Sequence, residues 1–531
     1  MEIPMHTLLP FLLVMVVAIV LLNILATKLK IAYPILLVIA GLLVSFIPGL
    51  PVLRIDPDLI FFIFLPPLLF EASWSISFKE MKKWWRMITS FAFLVVFFTA
   101  LSVAVVANYY IPGFTIALGF LLGGIVSPPD AVSTGALTKF VKIPRTTSAI
   151  LEGESLLNDA SSLIIFRFAL IAVGSSQFVL QEAATTFLWM IVGGVGVGLS
   201  LGWIFVKLHK LLPRDAPSDV ALMLIEPYIL YWVAEQIHCS GVLAVVCGGL
   251  FMSARRLYFL NGTSRIKSSS VWESFVFILN GIVFLIIGLE LPEIVEGLRS
   301  KGIPLRTAIG YGVLVTVVLI VARMISAFAA LIATRLFRPS VAPRARSRRV
   351  TLLMPLLMGW TGMRGVVSLA AALAIPVTLE SGIDFPQRNL ILFITFVTIL
   401  LTLVVQGLTL PYFIRRSGAF DGFMNEESEE MTRREVKRGL KQHIYQYVKD
   451  NHEQHMNDHE GVKLLMTHWE VKAKANDDGW MNEKTKEIFL ELLDVQRLYL
   501  SELNKDPKIN EEIIRQQLYQ IDLEEERLRI I

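Results

Sequence analysis

Two acidic residues stand where acids are costly. Asp130 closes Ser127-Pro128-Pro129-Asp130, and Asp159 closes Leu151-Glu152-Gly153-Glu154-Ser155-Leu156-Leu157-Asn158-Asp159, both within long apolar stretches. An ionisable side chain at mid-bilayer needs a partner or a task. Glu71, after Leu65-Pro66-Pro67-Leu68-Leu69-Phe70, and Arg364, within Gly359-Trp360-Thr361-Gly362-Met363-Arg364-Gly365, are in the same position. Helical spacing puts Ser155 and Asp159 on one face and Glu154 and Asn158 on the adjoining one. A hard cation wants several oxygen ligands. Asp159, Ser155, Glu71 and backbone carbonyls freed beside Pro128-Pro129 are candidates to supply them. Such a site holds a proton or a metal cation but not both easily, and competition for one site is the physical basis of antiport. Arg364 is the expected counter-charge of Glu154, a structural pair, because a lone buried guanidinium is prohibitive.

The elements that must position these groups are membrane helices. The chain has 531 residues, 54% hydrophobic and 18% charged, which is poor in charge for a soluble protein. Apolar runs of roughly 20 residues recur, each long enough for a hydrocarbon core of about 30 Å. Hydropathy predicts about 13 spans, at 8–26, 32–47, 59–74, 87–108, 114–137, 147–173, 186–208, 221–237, 242–253, 275–289, 308–336, 352–377 and 390–414. With an external N-terminus, about 24 basic residues fall in cytoplasmic turns and about five outside, as the positive-inside rule requires, and the C-terminus is cytoplasmic. Two segments read as broken. Pro128-Pro129 interrupts the fifth span, and Gly359, Gly362 and Gly365 loosen the twelfth. Interrupted segments in corresponding positions of two halves point to a transporter's central site. These two lie seven spans apart, as expected for two inverted six-helix repeats flanking a linker helix.

At these residues the sequence resembles the sodium/proton antiporters of the cation:proton antiporter superfamily, in the branch with Asn-Asp in place of Asp-Asp. The matching pieces are Phe70-Glu71, Ser127-Pro-Pro-Asp130, Glu152-Gly-Glu154-Ser-Leu-Leu-Asn158-Asp159-Ala160-Ser161, Ala234-Glu235 through Ser240-Gly241, and Gly362-Met-Arg364-Gly365. The resemblance implies an all-α polytopic protein of the bacterial cell membrane. It implies a homodimer whose core domain, near 59–174 and 275–377, carries the ion by an elevator motion against a dimerisation scaffold. It assigns ion and proton binding to Asp159, with Ser155 and Glu71 as further Na⁺ ligands. Asp130 and Asn158 organise the crossing, and Glu154 pairs with Arg364. Many bacterial members carry Ser-Pro-Thr-Asp where this chain has Ser-Pro-Pro-Asp, so position 129 can offer only its backbone carbonyl. One-for-one, electroneutral exchange of Na⁺ or Li⁺ for H⁺ is the implied activity, with K⁺/H⁺ exchange as the alternative.

Other classes fit less well. A channel needs a polar pore or filter loop, and neither is present. An intramembrane aspartyl protease would need Gly-x-Gly-Asp, whereas Asp130 follows Pro-Pro and Asp159 follows Asn. No enzyme activity, cofactor or nucleic-acid partner is expected; the substrates are Na⁺ and H⁺ and the surroundings are lipid. Beyond residue 417 the chain turns charged, and residues 418–531 read as a helical cytoplasmic tail. His452, His455 and His459 there have helical spacing, but Asp450-Asn451 and Asn457-Asp458 around them suit a solvated segment better than a metal site.

Overall fold

A computed structural model describes the chain apart from residues 1–4, 30, 48–56, 77, 131–144, 176–179, 213–214, 338–354, 380–381, 418–425, 453–463, 465, 468, 471–482, 504–516, 519, 526–527 and 529–531. The described residues are nearly all helical and form two compact units, Met1–Met424 and Asn425–Ile531. His455 and His459 fall outside the described residues.

The first unit opens with α1 (Met5–Leu29), α2 (Tyr33–Ser45) and α3 (Pro57–Ser75). Next, α4 (Phe78–Ser90) runs through a π-helical turn, Phe91–Val95, into α5 (Val96–Tyr110). Then come α6 (Ile116–Val126), α7 (Arg145–Ser175), α8 (Leu180–Leu211), α9 (Ala216–Gln236), α10 (Gly241–Ser253) and the single turn α11 (Arg256–Phe259). They are followed by α12 (Gly262–Leu289), α13 (Leu291–Ser300), α14 (Leu305–Phe337) and α15 (Val366–Leu373). Last, α16 (Arg388–Leu401) passes through a second π turn, Thr402–Gln406, into α17 (Gly407–Ser417).

Among the described residues, seven helical stretches are long and apolar enough to cross a membrane: Pro10–Leu29, Lys79–Tyr110, Ser148–Gly174, Thr185–Leu211, Gly262–Ser300, Leu305–Ile332 and Arg388–Ile414. Tyr33–Ser45, Phe61–Ser75, Ile116–Val126 and Gly241–Ser253 are shorter apolar helices. Exposed Leu13, Val14, Val17 and Leu21 give α1 an apolar outer face suited to lipid. Helix ends differ from the hydropathy expectation where polar residues continue a helix. The tenth predicted span begins near 275, yet α12 starts at Gly262, because the Asn261 side chain accepts from the Ser264 N–H and caps it there.

Local chemistry explains the irregular places. Pro66 and Pro67 lie inside α3, and a proline removes the donor that would bond the carbonyl four residues back. Tyr228 supplies one replacement, its hydroxyl donating to the Ile63 carbonyl at 3.2 Å. The α6 helix packs between α5 and α7 by way of small residues, as apolar helices in lipid commonly do. Gly124 is one of them: a Cβ there would sit 2.9 Å from the Phe166 backbone nitrogen.

The second unit contains α18 (Glu426–His452) and α19 (Glu483–Leu503). Leu493, Ile521 and Leu528 form its small core. Beside them Arg497 bonds Asp494 at 2.9 Å, Asp522 at 2.8 Å and Glu525. Those three acceptors hold the Arg497 guanidinium above the usual arginine range.

Candidate ion site

Both interrupted segments lose helix where the sequence breaks, and they meet there. Residues 127–130 follow α6 without helix; residues 361–365 separate a helical stretch, 355–360, from α15. The Asp130 N–H donates to the Met363 carbonyl at 2.7 Å. In return, Arg364 Nε donates to the Val126 carbonyl at 2.7 Å, and its Nη2 reaches the Ser127 carbonyl at 3.4 Å. Its Nη1 bonds the Gly362 carbonyl, and its backbone N–H donates to Thr402 Oγ1 at 3.2 Å.

The exchange follows from helix-end chemistry. The last carbonyls of a helix lack intrahelical donors, and its C-terminus carries partial negative charge. Pro128 and Pro129 have no N–H to give, so a fully buried guanidinium satisfies the end of α6. The opposite charge sits at the opposite helix end. Asp130 lies against Gly365, which immediately precedes α15, where an anion is favoured. A Cβ on Gly365 would collide with the Asp130 carboxylate, so the close approach requires glycine.

The α7 helix presents its polar face to this junction. Ser155 Oγ donates to the Pro129 carbonyl at 3.2 Å, and Asn158 Nδ2 makes a longer contact with the same oxygen at 3.4 Å. Asn158 Oδ1 is buried with no hydrogen-bond partner among the described residues. Asp159 is 8% exposed and lies close enough to Asp130 for the two carboxylates to act on each other electrostatically. Two residues on, Ser161 donates to the carbonyl of Ala92 in the first π turn. Both π turns therefore touch the site, Ala92 through α7 and Thr402 through Arg364. Such bulges concentrate at functional sites.

The expected Glu154–Arg364 ion pair is corrected by the structure. Glu154 pairs with Arg323 of α14, whose Nη1 and Nη2 reach Oε1 and Oε2 at 2.8 and 3.2 Å. Two buried arginines compete for one buried glutamate, and the helical one projects its planar fork onto both oxygens. Arg364 sits on unwound backbone, whose free carbonyls occupy its donors, though it stays within electrostatic reach of Glu154. The one signal available in the sequence was Arg323 itself, an arginine in an apolar span that needed an acid.

Glu71 of α3 faces a cavity. No described hydrogen bond joins Glu71 to Asp159. The cavity, of about 1030 Å³, lies between α3 and α12, with Trp74 and Glu273 among its other walls. A second cavity, of about 660 Å³, is lined by Leu163, Phe166 and Arg167 of α7 together with Tyr231 and Glu235 of α9. Arg167 Nη2 bonds both Glu235 oxygens at 2.7 Å across it. Away from both cavities, His209 bridges Asp219 at 2.9 Å and Glu226 at 2.8 Å, a buried triad tying α8 to α9. Nothing in the spacing of Glu226 points to His209.

Similarity to known proteins agrees with this architecture. A sequence model of the transmembrane sodium/hydrogen exchanger family matches residues 13–416. A "Sodium, potassium, lithium and rubidium/H(+) antiporter" of Bacillus pumilus is 32% identical over 388 residues, covering 71% of this chain and 57% of that protein. The "Low-affinity Na(+)/H(+) antiporter NhaS1" of Synechocystis is 33% identical over 391 residues, covering 73% and 69%. Among solved structures, the sodium proton antiporter MjNhaP1 of Methanocaldococcus jannaschii superimposes with a TM-score of 0.60 at 20% identity. That match covers 76% of this chain and 97% of the other, and at this identity it speaks for the fold alone.

Proposed function

From its membership in the sodium/hydrogen exchanger family, to which this chain belongs, we propose that it exchanges Na⁺ for H⁺ across the membrane in which it is embedded, with Asp159 as the group that holds either ion. The observation that carries this reading is the balance of buried charge. Glu154 has Arg323, Arg364 lies on the end of α6, and Asp130 lies by the start of α15. Asp159 is left with no counter-charge among the described residues, and the charge that acts on it is that of the like-charged Asp130. A carboxylate in a dry site without a cation is costly. One proton or one alkali ion offsets it, and either excludes the other.

The ligands proposed for the metal ion are Asp159, Ser155 and the Pro129 carbonyl, with Glu71 on the side open to the larger cavity. Asn158 and Asp130 hold the junction. Alternating access is supported by the register of α7. Glu152 acts electrostatically on Glu71 beside one cavity, Leu163 lines the other, and Asp159 falls between them on the same helix. On this reading two inverted six-helix repeats build a core that moves as an elevator against a dimer scaffold. The N-terminus is external and the tail cytoplasmic. Because one carboxylate takes one monovalent ion or one proton, each cycle moves no net charge. K⁺ is the second cation to consider, since the Bacillus pumilus relative is named for potassium as well as sodium.

The deciding experiment uses everted vesicles with an imposed proton gradient. Added Na⁺ should collapse the gradient with wild-type protein and leave it intact with Asp159→Asn at equal abundance, and clamping the voltage with K⁺ and valinomycin should not change the wild-type rate. Equal activity in the variant would overturn the assignment of Asp159, and a steep voltage dependence would overturn the one-for-one stoichiometry.

A further inference from the structure

We infer that α12 supplies a separate capture site for alkali cations ahead of Asp159, in which Glu273 and Asn280 of α12 act with Glu71 of α3 to hold a partly hydrated ion in the larger cavity. This rests on the exchange reading above and goes beyond it by naming residues that no motif marks.

Glu273 and Asn280 are seven residues apart, two helical turns, and share one face of α12 with Phe277. All three line the same cavity as Glu71. Asn280 is 2% exposed, and its Oδ1 has no hydrogen-bond partner among the described residues. A buried acceptor left unpaired costs about 1–3 kcal/mol, so this oxygen wants a donor or a cation. An amide oxygen is a hard ligand, of the kind that alkali ions accept.

The charges agree. Two groups act electrostatically on Glu71, and both are acidic: Glu273 from α12 and Glu152 from α7. Glu152 in turn lies three and seven residues before Ser155 and Asp159, so the three share a face of α7. Acidic oxygens thus run from the cavity to the ion site. Arg256 and Arg265 also line the cavity, but no ion pair joins either to Glu71 or Glu273 among the described residues. Arg265 is occupied at the rim by the Leu260 carbonyl at 2.7 Å.

The same features set the ligand class. Two carboxylates are too few for a divalent ion, which calls for more anionic oxygens. About 1030 Å³ is room for tens of waters at about 30 Å³ each, so the ion keeps much of its shell. Buried Trp272 Nε1, a second unpaired group in the wall, is a donor suited to that water and not to the ion. The site therefore concentrates cations without selecting among them.

The test is the Na⁺ dependence of exchange by the full chain. It is measured in everted vesicles, where, in the proposed topology, the cavity lined by Arg256 and Arg265 faces the added salt. Glu273→Gln and Asn280→Leu should raise the apparent KM for Na⁺ by about three- to tenfold at low ionic strength, with the rate at saturating Na⁺ recovered. The Glu273→Gln difference should shrink as choline chloride is added, because salt screens an exposed charge. Glu273→Asp, which keeps the charge, should retain the wild-type KM. An unchanged KM in Glu273→Gln while the wild type exchanges ions overturns this inference alone, as does a loss of maximal rate that Glu273→Asp shares. A wild type that exchanges no alkali cation overturns both this inference and the function it rests on.

Discussion

At the scale of single residues, the site is a problem in matching buried charges. Glu154 and Arg323 make a two-point hydrogen-bonded pair, and breaking a buried pair by removing one partner typically costs about 3–5 kcal/mol. A double-mutant cycle should therefore find strong coupling between Glu154→Gln and Arg323→Gln, and weaker coupling between Glu154→Gln and Arg364→Gln. Thermal unfolding in detergent, followed by size-exclusion fluorescence, measures both. The reverse order would return Glu154 to Arg364. Asp159 leads to a kinetic expectation with a fixed sign. If a proton and Na⁺ compete for one carboxylate, the apparent KM for Na⁺ falls as pH rises, by about tenfold per unit while the protonated form dominates. Initial rates across a Na⁺ series at each pH read this directly, and a KM independent of pH would exclude a shared site.

At the scale of elements, the site depends on how closely helices approach. The α6 helix carries Pro129 and Asp130 at its end and lies against the backbone of α7 at Gly124. A side chain there pushes apart the two elements that carry the proposed ligands. Gly124→Leu should cost about 1–3 kcal/mol by overpacking and abolish exchange, whereas Gly196→Ala in α8, where a Cβ meets nothing within 4 Å, should be neutral or stabilising by roughly 0.5–1 kcal/mol. Parallel thermal shifts and vesicle assays decide it; full activity in Gly124→Leu would mean that this contact does not position the site. The π turns belong to the same scale. Widening the helix at Phe91–Val95 and Thr402–Gln406 turns a carbonyl and a hydroxyl toward α7 and Arg364. An apolar helical sequence carries no mark of that shift.

At the scale of the whole molecule, contacts divide the chain at residue 424, and each unit has its own apolar core. The proposed ion site and both cavities lie within the first unit. A chain ending at Met424 should still insert and exchange Na⁺ for H⁺, with the same loss on Asp159→Asn, and any effect of the tail should appear as a change in rate or set-point. Loss of all exchange by a correctly inserted, truncated protein would make the tail part of the transporter proper.

The sequence alone determined the membrane class, many of the helical segments, the two interruptions and the polar residues Pro129, Asp130, Ser155, Asn158 and Asp159 that stand in apolar runs. Each of these is written in local terms: runs of apolar residues, proline and glycine inside them, and acids at helical spacing where acids are costly. Tertiary structure alone decided what depends on the distance between remote segments. It gave Glu154 to Arg323 instead of the expected Arg364, because no local pattern says which arginine of a remote span reaches both oxygens. It joined Arg364 to the end of α6, set Glu71 in a cavity with Glu273 and Asn280, and enclosed His209 between two acids. A periodic pattern says which face of a helix is polar; only packing says what that face meets.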